Sequence, residues 1–268
     1  MTFSEQIMKL SIYQVDAFAH TVFTGNPAAV CPLTEWLPDA LMQQIAAENN
    51  LAETAFFVPD AQGYQIRWFT PTVEVDLCGH ATIAAAYVVF QILGFSGDTI
   101  PFYSPRSGPL PVTREGNLLA LNFPADTLKP VDCPEALAQA IGMQPLATFK
   151  GKTDYLLTYA TEAQIREMAP DMRALAAIQA RGVIVTAPGE TVDFVSRFFA
   201  PQCGVDEDPV TGSAHTSLIP YWAQRLGKRD LTAFQASKRG GYLSCTCLNN
   251  RVMIRGEAVL YLSGEIFC

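Results

Sequence analysis

Short apolar runs, rich in β-branched and aromatic residues and bounded by polar ones, recur along the chain. In the first half these runs are Ser11–Val15, Thr54–Val58, Tyr64–Phe69, Thr99–Tyr103, Leu110–Thr113 and Leu118–Phe123. In the second half they are Tyr155–Tyr159, Val183–Thr186, Asp193–Phe199, Gly241–Cys247, Arg251–Arg255 and Val259–Leu262. Each predicts a strand. Three segments follow a different pattern. Between Pro38 and Asn50, the positions Leu41, Met42, Ile45, Ala46 and Asn49 recur at helical spacing. Gly79 to Leu93 is apolar almost throughout and stops at Gly94, and Gly212 to Leu226 stops at Gly227. A glycine after the last helical residue is a common stop. A helix apolar on every side has to be enclosed, so each is predicted at the centre of its own sheet.

The two halves repeat one another. Arg67-Trp-Phe-Thr-Pro71 echoes Arg197-Phe-Phe-Ala-Pro201, and at the same spacing Asp76 meets Asp206 and Cys78 meets Asp208. Three further residues, Pro209-Val210-Thr211, then separate the copies. Beyond them Gly79-His80-Ala81 meets Gly212-Ser213-Ala214, Ser104 to Leu110 meets Ser237 to Leu243, and Asn117 meets Asn250. A steady offset across several segments points to an internal duplication. The expected fold is therefore α+β, two similar lobes, each a strand-rich barrel around a central helix. The boundary falls in the proline-bearing stretch from Pro124 to Pro134, giving lobes 1–127 and 128–268. The last strand is free to cross back to the first lobe.

The chain has 268 residues, 49% of them hydrophobic and 16% charged, enough for a sizeable core. Disorder, which needs low hydrophobicity and high net charge, is excluded. A formal charge of −8 argues against nucleic-acid and anionic-membrane partners, which need a basic face. It leaves open a small anionic substrate, which senses only the local field. No run reaches the roughly 20 apolar residues that span a bilayer. The start of the chain, with Glu5 and Lys9, shows no basic-then-apolar leader, so a cytoplasmic location is expected. Seven cysteines without framework spacing fit reduced thiols. Cys245-x-Cys247 is the one close pair, and it lacks a second pair or a nearby histidine. With histidines only at 20, 80 and 215, no metal centre is expected.

The repeat itself locates the chemistry. Asp76-Leu-Cys-Gly-His80 opens one buried helix and Asp208-Pro-Val-Thr-Gly-Ser213 opens the other. Two helix starts facing one cleft would turn free N–H groups and two dipoles toward a small carboxylate. Two ordinary capped helix ends explain the Asp and Ser equally well. Glu53, in Asn50-Leu-Ala-Glu-Thr-Ala-Phe-Phe57, lies between a helix end and an apolar strand. Half-burial there would raise its pKa and suit it to proton transfer, although a glutamate on a surface loop also fits.

Several segments together resemble the phenazine-biosynthesis-type (PhzF-like) isomerases of the diaminopimelate-epimerase-like superfamily. They are Val15-Asp-Ala-Phe18, Phe23-Thr-Gly-Asn-Pro27, Asn50 to Phe56, Arg67 to Pro71, Cys78-Gly-His-Ala-Thr82 and Glu207-Asp-Pro-Val-Thr-Gly-Ser-Ala-His215. They span most of the chain, and the last is the most specific. The resemblance implies a cleft between two similar lobes and an isomerase that needs no cofactor. It places the family's catalytic glutamate on Glu53 and its polar cleft residues on His80, Asp208 and Ser213. Gly79 and Gly212 would present backbone N–H groups, and Asn26 would line the pocket. Glu53 would take a proton from an activated C–H of a small carboxylate and the site would return it elsewhere. A homodimer is the expected assembly.

Cys78 departs from the superfamily's two-thiol epimerases and racemases, which place one cysteine in each lobe. Here Asp208 is expected where the second would stand, so Cys78 is read as a packing residue. A cysteine-dependent epimerase or racemase and a non-catalytic small-molecule-binding protein remain alternatives.

Overall fold

The computed structural model describes residues 8–268; Glu5, at the start of the chain, lies outside them. Its helices are α1 (Asp39–Asn49), α2 (Gly79–Tyr87), α3 (Glu135–Ile141), α4 (Glu162–Glu167), α5 (Met172–Ala176) and α6 (Gly212–Leu226). Two sheets hold all of the described strands. The first runs in the order Ala258–Phe267, Lys9–Ala17, Asn26–Pro32, Glu53–Asp60, Gly63–Phe69, Phe102–Ser104, Gly108–Pro109. The second begins at Lys129–Val131 and passes through Tyr155–Thr158, Val183–Pro188, Phe194–Ala200 and Arg251–Gly256 to Leu118–Pro124 and Thr99–Ile100.

The sheets exchange strands. The last strand pairs antiparallel with Lys9–Ala17, from Lys9↔Phe267 to Ala17↔Ala258. Conversely, Leu118–Pro124, from the first half, pairs with Arg251–Gly256.

The duplication is visible in the topology. In the first half, Asn26–Pro32 runs parallel to Glu53–Asp60, which pairs antiparallel with Gly63–Phe69. A short antiparallel strand, Glu74–Val75, then leads into α2. In the second, Tyr155–Thr158 runs parallel to Val183–Pro188, which pairs antiparallel with Phe194–Ala200. The short strand Val205–Glu207 leads into α6. Even an ion pair repeats: Arg67 clasps Glu74 at 2.8 and 2.9 Å, and Arg197 clasps Glu207 at 2.7 and 3.0 Å.

This register corrects the placement of the three extra residues. Phe69 faces Glu74, whereas Phe199 faces Glu207. The insertion therefore sits in the turn before Glu207, where Pro201–Cys203 winds into a short 3-10 turn. Cys78 and Thr211 then occupy equivalent places, each immediately before its helix. The lobe-two counterpart of Cys78 is Thr211 rather than Asp208.

Helix α2 shows a second difference. The apolar run predicts one helix to Leu93, but the α-helix ends at Tyr87 and Val88–Ile92 forms a π turn. The Leu93 N–H reaches back to the Val88 carbonyl at 3.0 Å. The wider turn keeps Val88, Val89 and Phe90 all buried.

One apolar core surrounds both central helices, joining Val15, Trp68, Ile83 and Val89 to Phe194, Leu218, Trp222 and Ile254. Smaller clusters fill the space beneath α1 and beneath α3 to α5. The strands Asn26–Pro32, Lys129–Val131, Ala147–Lys150 and Asp230–Gln235 escape the sequence pattern. Prolines interrupt the first two, Ala147–Lys150 is short, and Asp230–Gln235 carries polar residues at Asp230, Thr232 and Gln235. No helix among the described residues is long and apolar enough to cross a membrane.

Candidate active site

The two central helices meet start to start. A Cβ added to Gly79 would lie 3.8 Å from the Gly212 Cα, and one added to Gly212 would lie 3.8 Å from the Gly79 Cα. Neither helix start is capped by a side chain. The reading of two ordinary caps therefore fails: Asp208 and Ser213 spend their oxygens elsewhere. First-turn N–H groups of both helices, with the positive ends of both dipoles, converge on one point.

Glu53 and Asn26 reach this point from neighbouring parallel strands, where Ala28 pairs with Glu53. The Glu53 Oε2 atom lies 3.2 Å from His80 Nε2, with side chains 18% and 6% exposed. That oxygen is buried and has no aligned hydrogen-bond donor, so the contact is an ion pair by proximity. Asn26 is fully buried and ties the lobes together. Its Nδ2 donates to Asp208 Oδ1 at 2.7 Å and to the Val210 carbonyl at 3.0 Å, and lies 3.1 Å from His80 Nδ1. Cys78 Sγ lies 3.5 Å from the same Nδ1.

Asp208 is held from every side. Thr211 donates its hydroxyl to Oδ2 at 2.5 Å, and Gln235 donates to the Asp208 carbonyl at 2.8 Å while accepting from the Thr211 N–H at 2.8 Å. Sequence reasoning missed Thr211 and Gln235 as members of this cluster. Thr211 lay within the quoted Glu207–His215 block, but Gln235 carries no local signal.

Ser213 is on the same helix start but stands apart. It is exposed, and its hydroxyl accepts from Arg181 Nη1 at 3.0 Å. Arg181 is itself fixed by both carboxylate oxygens of Asp154. The structure thus joins Glu53, His80, Asp208 and Asn26 through direct contacts, sets Gly79 and Gly212 against them, and leaves Ser213 on the rim.

The charges sort unevenly. Burial pushes the Glu53 carboxyl up, but the imidazole of His80 outweighs it and the net pKa lies below the ordinary value. The half-burial expected from the sequence is present; the expected rise is not, because the histidine is a partner that the sequence pattern did not place. Burial opposes charge on His80, yet the carboxylate of Glu53 beside it helps to raise its pKa well above 6.5. Asp208 is raised, chiefly by burial and further by the Glu53 charge. The Cys78 thiol is pushed up to about 11 by burial and by Glu53, so it is protonated at neutral pH.

His215, one turn into α6, behaves oppositely. Its Nδ1 pairs with the Thr211 carbonyl at 2.8 Å, its Nε2 has no partner, and burial lowers its pKa to about 4. The unfolded chain takes up a proton near pH 6.5 that the folded chain refuses. Stability should therefore fall by as much as about 1.4 kcal/mol per pH unit from this group as pH drops from roughly 6.5 to 4. Urea unfolding at pH 7 and pH 5 should show a smaller loss in His215→Gln than in the wild type. Equal losses would remove His215 from the acid sensitivity.

Two strand-rich sheets of repeated topology, whose central helices meet at uncapped starts, define a duplicated α+β class of protein. Within that class, residues 15–264 match the model of the family described as phenazine biosynthesis-like protein, and the chain belongs to that family. An uncharacterized isomerase of Pseudomonas aeruginosa is 55% identical over 260 residues, spanning 97% of this chain and 99% of that protein. The crystal structure of a PhzF-family protein from Enterococcus faecalis is 46% identical with a TM-score of 0.95, over 97% of this chain and 100% of the other. A hydroxyproline epimerase from Agrobacterium vitis, 9% identical, shares the fold with a TM-score of 0.61 over 98% and 93% of the two chains.

Proposed function

We propose that the protein is a cofactor-independent isomerase that moves a proton on a small carboxylate-bearing substrate, with Glu53 as the acid/base. The observation that carries this reading is the Glu53–His80 contact at the junction of two uncapped helix starts. Glu53 is ionised at neutral pH and can accept a proton from a C–H made acidic by neighbouring unsaturation. The electron pair left behind shifts the double bond, and negative charge grows where the N–H groups of Gly79 and Gly212 and both dipoles are aimed. Protonated Glu53 then returns the proton to another carbon, so no oxidant or reductant is required. His80 supports the carboxylate form, and Asp208, fixed by Asn26 and Thr211, orients the substrate. We extend the reading to a cytoplasmic homodimer, supported by Phe23, Tyr261, Leu262 and Phe267, which lie exposed on and beside the edge strand.

A thermal-shift screen of small aromatic and amino-acid carboxylates tests the substrate class. A true ligand at one hundred times its dissociation constant should add about 2.7 kcal/mol of stability. Asp208→Asn should lose much of that shift; stabilisation by neutral analogues alone would overturn the carboxylate assignment.

The two-thiol mechanism has little support. The position equivalent to Cys78 is Thr211, and the Cys78 thiol stays protonated. Cys78→Ala should leave a folded protein with turnover within about tenfold of wild type. A loss beyond roughly a hundredfold, about 2.7 kcal/mol of barrier, would make Cys78 the base instead.

A further inference from the structure

The sequence set metal chemistry aside because histidines are few. The fold nevertheless gathers a carboxylate, a thiol and an imidazole from two separate elements. Glu53 Oε2, Cys78 Sγ and a His80 ring nitrogen all lie within 4.8 Å of one another, and among the described residues no other group of three or more such side chains does so. Individual separations are 3.2 Å from Oε2 to Nε2 and 4.0 Å from Sγ to Nε2. Tetrahedral zinc binds oxygen and nitrogen at roughly 2.0–2.2 Å and sulfur at about 2.3 Å, which sets ligand atoms roughly 3.3–3.6 Å apart. Small side-chain rotations close the remaining difference. Glu53 Oε2 is buried without an aligned donor, so it is a free acceptor at one corner of the triangle.

We propose that this triangle is a binding site for a thiophilic divalent cation, zinc above all, formed by Glu53 Oε2, Cys78 Sγ and His80 Nε2. The ligand set favours that class: thiolate and imidazole select zinc over magnesium or calcium, which prefer oxygen. On binding, the Cys78 S–H proton and the proton on His80 Nε2 both leave to solvent as the metal–sulfur and metal–nitrogen bonds form. One carboxylate, one thiolate and a neutral imidazole then balance the divalent charge, which suits a buried position. The fourth position stays open to water or to a substrate oxygen. The metal takes the same Glu53 lone pair that the proposed isomerase reaction uses, so occupancy switches that reaction off. Cys78 thereby gains a role: it turns a carboxylate–imidazole pair into a metal-sensitive one.

The test uses Co2+ as an optical probe and Zn2+ as its competitor, on full-length protein carrying Cys203→Ser and Cys268→Ser to remove the exposed thiols. One Co2+ should bind per chain with thiolate-to-metal absorption, and Zn2+ should displace it. In Cys78→Ala that absorption should vanish. In Glu53→Gln, which keeps the thiol, affinity should fall by more than the roughly 10–100-fold typical of losing an outer-shell partner. Absence of binding, or thiolate absorption that persists in Cys78→Ala, would overturn the proposal. The readout needs no turnover, so a failed metal titration leaves the isomerase reading standing, and loss of that reading leaves the metal site standing.

Discussion

Glu53→Gln should lower turnover by about 10²–10⁴-fold while ligand affinity stays within a few-fold. Glutamine keeps the shape of the side chain and can still hydrogen-bond, but it cannot accept a proton at neutral pH. The effect should therefore fall on the chemical step and spare substrate binding. The same contact gives the expected direction of the stability change. The Glu53 carboxyl is held below its ordinary pKa by His80, so the charged form is the favoured one in the fold. Neutralising it relieves no net penalty and leaves the imidazole without its partner. A small loss of stability is expected, in contrast to the gain that a desolvated, unpartnered carboxylate would have shown. Measurement of both turnover and urea midpoint on the same preparation checks the two statements together.

Gly25→Ala should be the most destabilising conservative change near the site. Gly25 has φ of +66°, and an added Cβ would fall 2.2 Å from the Ala17 carbonyl oxygen and 2.8 Å from the Ala19 Cβ. Both obstacles are backbone or short side chain, so neither can rotate away. The N–H of Gly25 also donates to the Gly240 carbonyl at 2.6 Å, and Arg239 Nε donates to the Gly25 carbonyl at 2.8 Å. This clasp joins the first sheet to the second immediately before Asn26. Left-handed strain and overpacking each cost about 1–3 kcal/mol, so a loss of at least about 3 kcal/mol is expected. Gly94→Ala is the control: its φ is +71° but an added Cβ meets nothing within 4 Å. Only the strain remains there. Equal losses in the two variants would show that the Ala17 contact is not what demands glycine at position 25.

The halves of the fold were legible because duplication leaves its mark twice. The Arg67 and Arg197 segments, and the two matching helices, predicted one strand-and-helix arrangement used twice; the structure repeats it but encloses both helices in a single core. Glu53, His80 and Asp208 were legible from local motifs, and the structure brings them into one cluster with Asn26. What escaped depended on register. Counting along the chain aligned Cys78 with Asp208, whereas the strand pairing of Phe199 with Glu207 moves the insertion upstream and aligns Cys78 with Thr211. The lowered pKa of Glu53 was illegible because it arises from a histidine 27 positions away. Gln235 was illegible because it serves the site by bracing Asp208 and Thr211, which lie more than twenty positions away, and sits in no motif of its own. The π turn after Tyr87 was hidden by a sequence that is equally apolar in every direction.

The most direct test of the central claim is solvent-deuterium incorporation. Wild type, Glu53→Gln and Asp208→Asn are each incubated in D2O with a carboxylate that passes the thermal-shift screen, and deuterium at its carbons is read by mass spectrometry. The account predicts rapid exchange with wild type, exchange slowed by about 10²–10⁴-fold with Glu53→Gln at nearly unchanged affinity, and weakened binding together with slowed exchange for Asp208→Asn. Undiminished exchange with Glu53→Gln would contradict it.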